Sequence, residues 1–97
     1  MAYRVTFSPQ ARSDFHALSA YDRARVGDAV DSHLLHRPML ESKSRIKRLR
    51  GLKKPQYRLR VDTVRVYYDV SDDEVTVLGI VNKAHAEQWL QEQGEHE

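Results

Sequence analysis

The sequence predicts an α+β chain: an N-terminal strand, a helical hairpin packed on an antiparallel sheet of four to five strands, and a C-terminal helix. Period-two alternation of apolar residues marks the opening strand and returns between residues 57 and 81. Between these stretches, apolar residues recur at helical spacing behind two capping signals, and a third cap at Asn82 opens the last segment. Residues 1–97 are expected to form a single domain, with a frayed tail at about 94–97.

AYRVTF sets Tyr3, Val5 and Phe7 against Ala2, Arg4 and Thr6, the pattern of a half-buried strand. Ser8 then stands as an N-cap with Pro9 at the first helical position, where a missing N–H costs nothing, and Ala11, Phe15 and Leu18 follow at helical spacing. A second helix restarts at Ser19, with Asp22 in a capping-box relation and an apolar stripe of Val26, Ala29, Val30, His33 and Leu34. Gly27 interrupts it weakly, and Pro38 stops it by disfavouring helical backbone at the preceding residue.

After the polar loop RPMLESKS come four short segments, RIKRLRG, QYRLRV, VRVYYDV and EVTVLGIV, divided by turn signals at 51–55, 62–63 and 71–73. They read as an antiparallel meander. NKAHAEQWLQEQ, capped by Asn82 and carrying Ala86, Trp89 and Leu90 as an apolar edge, is the closing helix.

The chain has no cysteine, which excludes disulfides, thiolate catalysis and cysteine metal sites. No metal or cofactor is expected. No apolar run approaches the length of a membrane span and the N-terminus has no signal-peptide core, so a cytoplasmic protein without a membrane partner is expected. The net charge of +2 hides a strong division. Residues 43–65 hold ten Lys/Arg against one acid, Asp62, a net of +9, while the remainder holds six against thirteen, a net of −7. Such a basic segment is either a solvated face or a seat for a polyanion.

Strand parity sharpens that choice. With Asp62-Thr63 as a hairpin turn, Val61 lies opposite Val64, Arg60 opposite Arg65, Leu59 opposite Val66, Arg58 opposite Tyr67, and Tyr57 opposite Tyr68. One face then carries Tyr57, Leu59, Val61, Val64, Val66, Tyr68 and Val70 for the helices to cover. The other carries Arg58, Arg60, Arg65, Tyr67 and Asp69. Pairing Val70 with Val75 adds Val75, Val77, Gly79 and Val81 to the helix face and Thr76, Leu78 and Ile80 to the arginine face. Arginine opposite arginine destabilises a strand pair by up to ~1 kcal/mol. Asp69 alone cannot neutralise three guanidinium groups, so a phosphate site is expected on the sheet's open face.

These segments resemble the RelE/ParE superfamily of toxins from bacterial toxin–antitoxin pairs. KRLRG at 47–51, YRLRV at 57–61, VRVYYDV at 64–70 and EVTVLGIV at 74–81 match its strand series, behind a helical hairpin led by Phe7 and Ala11 in an F-x-x-x-A start. The resemblance runs from about Ala2 to Leu90 and implies a RelE-like fold of the microbial ribonuclease type. For RelE-like members it implies a ribosome-dependent mRNA endoribonuclease, an mRNA interferase that stops translation by driving a ribose 2′-hydroxyl onto the adjacent phosphate to leave a 2′,3′-cyclic phosphate. The implied partners are the ribosome, mRNA and a cognate antitoxin. For ParE-like members it implies inhibition of DNA gyrase without nuclease chemistry. A third reading is a binding-only member that acts with its antitoxin in repression.

By position, the resemblance puts Arg50, Arg58, Arg60 and Arg65 at basic positions of the family, with Arg65 foremost. The candidate catalytic residues are Arg58, Arg60, Arg65 and His85. The candidate RNA- and phosphate-binding residues are Lys47, Arg48, Arg50, Lys53, Lys54, Tyr67 and Lys83. Some members carry lysines where this chain has Arg58 and Arg60, and arginine cannot serve as a general base. The late basic and aromatic segment is changed as well, to NKAHAEQWL. His85 then falls at the third helical position, where the positive helix end favours a neutral, proton-accepting imidazole, unless it is an exposed histidine with no task. Trp89 is read as a packing residue or a base-stacking one, and Tyr67 as the better stacking candidate.

Overall fold

The structure, a computed structural model, describes residues 2–97. Its elements are strand β1 (Arg4–Phe7), helices α1 (Pro9–Ala17) and α2 (Ala20–Ala29), strands β2 (Ile46–Arg48), β3 (Leu52–Lys54), β4 (Tyr57–Val61), β5 (Val64–Ser71) and β6 (Glu74–Asn82), helix α3 (Lys83–Gln93) and strand β7 (Glu95–His96). Both hairpin caps form as the sequence requires: Ser8 Oγ accepts the Ala11 N–H and Ser19 Oγ accepts the Asp22 N–H, each at 3.1 Å. Beyond α2 a π-helical segment, Val30–Leu34, carries the helix on. Val30 and Leu34 are buried there and His33 is half-buried.

Five strands form one sheet in the order β1-β6-β5-β4-β2, with α1 and α2 on one face. The strands β2, β4, β5 and β6 are antiparallel neighbours, as the meander predicts. The fifth strand, β1, joins β6 in parallel, so the sheet is mixed. The chain leaves β1 into helices rather than a tight turn, and no short connection obliges it to run opposite its neighbour. Past the end of β1, α1 finishes the exposed edge of β6. Ser8 Oγ donates to the Leu78 carbonyl at 3.3 Å, and the Asp14 carboxylate accepts the Ile80 N–H at 3.0 Å.

The core lies between the helical hairpin and the sheet, where Val26 and Leu34 meet Leu59, Val66, Tyr68, Val75 and Val77, all fully buried. Tyr57 and Tyr68 stack at 5.5 Å between ring centroids. The Tyr68 hydroxyl donates to the Pro38 carbonyl at 2.7 Å, tying the loop after the hairpin to the sheet. Burial raises the Tyr68 phenol pKa far above its ordinary value, so it remains a donor.

Three expectations need correction, the first being the stretch 51–55, which is read as a turn but holds strand β3. Leu78 is an extra residue in β6: Tyr68 pairs with Val77 but Tyr67 pairs with Gly79, Val66 with Ile80 and Arg65 with Val81. This bulge inverts the parity of β6, sending Ile80 into the core and moving Gly79 and Val81 to the arginine face. The tail, expected to fray, forms β7, which pairs with β3 in a separate two-stranded sheet.

The moved glycine receives α3. Trp89 stacks on Tyr67 at 4.9 Å and 6° between ring planes, and a Cβ on Gly79 would overlap the indole. No residue of α3 is fully buried, so this stack is the helix's main anchor. Gly79→Ala is expected to destabilise the fold by about 1–3 kcal/mol through overpacking, accompanied by a red shift of the fluorescence of Trp89, the chain's one tryptophan. Tyr68→Phe, which strands the buried Pro38 carbonyl without filling space, is expected to cost about 1–2 kcal/mol in denaturant melts.

Candidate functional site

The β4–β5 hairpin builds the site. Its turn has two residues, with Asp62 at φ 52°, a left-handed conformation that aspartate tolerates better than most residues. The pairs run as parity requires: Val61 with Val64, Arg60 with Arg65, Leu59 with Val66, Arg58 with Tyr67 and Tyr57 with Tyr68. The Asp62 carboxylate is held by Arg25 Nε of α2 at 2.7 Å. Its carbonyl accepts Arg65 Nη1 at 2.8 Å, and the Val64 carbonyl accepts the same nitrogen at 3.1 Å. The turn thus fixes the Arg65 guanidinium by one nitrogen and leaves its other donors for a ligand.

Two basic rows cross the face. Lys47 pairs with Arg58 across β2 and β4, next to Tyr67 on β5. In the second row the Arg60 N–H donates to the Arg45 carbonyl at 2.9 Å, and Arg65 lies on the far side. Arg45, outside the candidate set, belongs to this row at the level of the backbone, and its side chain bridges to the Arg60 carbonyl at 3.3 Å. The alternation of Arg45 and Lys47 was the signal for it.

No carboxylate lies within 4.0 Å of Arg58, Arg60 or Arg65 among the described residues, whose ion pairs are Arg4–Asp73, Arg4–Glu74 and Arg25–Asp62. Asp69 is occupied elsewhere. It accepts the Gln56 N–H at 2.8 Å, while Gln56 Oε1 accepts the Val70 N–H at 2.9 Å. Burial raises the Asp69 carboxyl pKa, opposed by that hydrogen bond and by Lys54. Arg65 is pulled below the ordinary guanidinium pKa by burial first and then by the charges of Arg58 and Arg60. It stays protonated, but its charge is under-compensated. Arg58 Nε is buried without a hydrogen-bond partner among the described residues. An anion arriving on this face would meet the free donors of the Arg65 guanidinium, held in place by the turn before it binds.

The structure does not gather every candidate here. Arg48 turns to the opposite face, its guanidinium 5.1 Å from the Tyr57 ring centroid, because one step along β2 reverses the side-chain direction. Arg50 is exposed in the turn before β3, and Lys53 and Lys54 lie on β3, outside the main sheet. Tyr67 is only 2% exposed beneath Trp89, so it packs α3 instead of stacking on a base. Lys83 opens α3, its N–H donating to the Thr63 carbonyl at 2.7 Å, which sets the helix start against the hairpin tip. Asn82 caps that helix through the Ala84 N–H at 2.9 Å, and His85 is exposed in its first turn. Among the described residues no side-chain hydrogen bond holds the imidazole.

The family model for the ParE toxin of type II toxin–antitoxin systems, parDE, matches residues 5–88. No curated protein matches the chain. Among similar solved structures is the archaeal RelE–RelB complex from Pyrococcus horikoshii, 26% identical, covering 86% of this chain and 97% of that one at a TM-score of 0.70. The toxin–antitoxin complex RelBE2 from Mycobacterium tuberculosis is 27% identical over 87% of this chain and 94% of that one, at 0.67. The toxin RelE from E. coli, in the free state and with two arginines replaced by alanine, is 26% identical over 95% of this chain and 94% of that one, at 0.71. With the family model spanning most of the chain and the fold shared throughout, this protein belongs to the RelE/ParE superfamily, as a toxin of a type II toxin–antitoxin system.

Proposed function

We propose that the chain is a ribosome-dependent mRNA endoribonuclease, restrained by a cognate antitoxin. The observation that carries this reading is the cluster of Arg58, Arg60 and Arg65 on one sheet face with no acid within ion-pair distance among the described residues. The pairing of the similar RelE proteins with RelB supports the antitoxin as partner.

In this reading a ribose 2′-oxygen attacks the adjacent phosphorus, the bond from phosphorus to the 5′-oxygen breaks, and a 2′,3′-cyclic phosphate and a 5′-hydroxyl result. Arg65 stabilises the charge that builds on the non-bridging oxygens, where a prefixed donor contributes most. Arg58 and Arg60 bind the phosphate in the ground state as well, and Lys47 and Lys83 guide the flanking backbone. No arginine can take the 2′-proton. His85 is assigned that role, and solvent protonates the departing 5′-oxygen.

A second reading, gyrase inhibition without nuclease chemistry, is favoured by the description of the matching family as ParE. Induction in cells followed by mapping of RNA ends and DNA breaks separates the two. Cuts inside translated codons support the nuclease. Double-strand DNA breaks without such cuts support gyrase.

Arg65→Ala is expected to abolish growth inhibition while leaving the melting transition in place, because a half-exposed arginine leaves no core cavity. Full toxicity in a folded Arg65→Ala protein refutes its role. His85→Ala is expected to slow single-turnover cleavage on programmed ribosomes by roughly 10² to 10⁴ with little change in ribosome affinity. Arg58→Ala is expected to weaken both. Wild-type cleavage by His85→Ala would remove the imidazole from the mechanism.

A further inference from the structure

The segment after α3 is tied down. Gly94 caps the helix through its N–H to the Leu90 carbonyl at 2.9 Å, and a Cβ at Gly94 would overlap that carbonyl, so glycine permits this tight exit. The chain then runs extended and antiparallel to β3, with Glu95 opposite Lys54 and His96 opposite Leu52. The Glu97 N–H reaches the Gly51 carbonyl at 3.3 Å. Leu52 is 8% exposed and lies against Gly94, an apolar anchor at the base of the strand.

The charges on the two partners are opposite. The covering segment carries Glu95 and Glu97, and the stretch beneath it carries Arg50, Lys53 and Lys54. Lys54 and Glu95, opposite each other in the ladder, act on the Asp69 carboxyl in opposite directions, so both lie within electrostatic reach of it. A depression of about 180 Å³ between them is lined by Lys54, Pro55, Leu78, Trp89, Gln93 and Glu95. The contact is built to be weak. A two-residue ladder offers few hydrogen bonds, and among the described residues neither Glu95 nor Glu97 lies within 4.0 Å of a Lys or Arg nitrogen, so the exposed opposite charges attract through solvent and contribute at most ~0–1 kcal/mol each. Tethering keeps the acids at high local concentration all the same.

We infer that segment 94–97 is an acidic strap that competes intramolecularly with RNA phosphates for the basic residues at 50–54. The choice of RNA as the displacing ligand rests on the endoribonuclease reading. While the strap is closed, this part of the backbone path is taken, and apparent RNA affinity falls by the fraction of molecules that are open. Binding of the phosphate chain pulls the strap away and extends the path from the arginine face onto β3.

The test is the affinity for a short labelled oligouridylate at fixed low salt. Glu95→Gln with Glu97→Gln is expected to tighten binding by about three- to tenfold, and the gain is expected to vanish when Lys53→Gln and Lys54→Gln are added. In the variant Lys54→Cys with Glu95→Cys, made in a chain with no other cysteine, oxidation is expected to weaken binding relative to the same protein reduced. Arg58→Ala and Arg65→Ala serve as controls for the arginine face. If they weaken RNA binding while both strap variants change nothing, the strap is refuted and the RNA reading stands. If they change nothing, the RNA reading fails, and inorganic polyphosphate decides the strap: it must accelerate hydrogen exchange at the Glu97 amide, and unchanged exchange overturns the strap.

Discussion

Everything distinctive about this face follows from the register of the β4–β5 hairpin. A side-chain period of two means that slipping β4 by one residue against β5 would drive Arg58 and Arg60 into the core and turn Leu59 and Val61 out to solvent. The hydrophobic pattern alone makes that slip prohibitive. The two-residue turn adds a second constraint, with Asp62 in the left-handed region and pinned to Arg25 of α2. The helix that covers the core face therefore also holds the tip of the hairpin that presents the arginines. Arg25 thus links packing on one side of the sheet to charge geometry on the other.

The arginine face is locally unfavourable. Arg60 stands opposite Arg65, burial and neighbouring charge depress the Arg65 pKa, and Arg58 Nε is buried without a partner among the described residues. A sheet selected for stability alone would place an acid or a threonine at one of these positions. The one acid that parity supplies, Asp69, is engaged by Gln56 further along the strand. Like charges held together without compensation favour an anion over water as their partner.

The other half of the same face is closed by aromatic packing. Trp89 lies flat on Tyr67 over the space left by Gly79, and that platform exists only because the bulge at Leu78 brings a glycine to this face. Helix α3 is therefore light in apolar contacts yet fixed in position, and its first turn sits against the hairpin tip through Lys83. Lys83 and His85 thus stand beside the hairpin tip on an element that shares almost none of the main core.

Short-range chemistry was legible in the residues themselves. The caps at Ser8, Ser19 and Asn82, the order of the elements other than β3 and β7, the five cross-strand pairs of the β4–β5 hairpin and the gathering of Arg58, Arg60 and Arg65 on one face each depend on alternation, turn length or a side chain reaching its own backbone. What the sequence left open involves segments that meet from far apart in the chain. The parallel pairing of β1 with β6, the parity change at Leu78, the burial of Tyr67 under Trp89, the diversion of Asp69 to Gln56 and the seating of β7 on β3 belong to this group. Local periodicity says which way a side chain points relative to its neighbours. Which surface is waiting there is decided by contacts between distant segments, and a single inserted residue in one strand reverses the answer for every position beyond it.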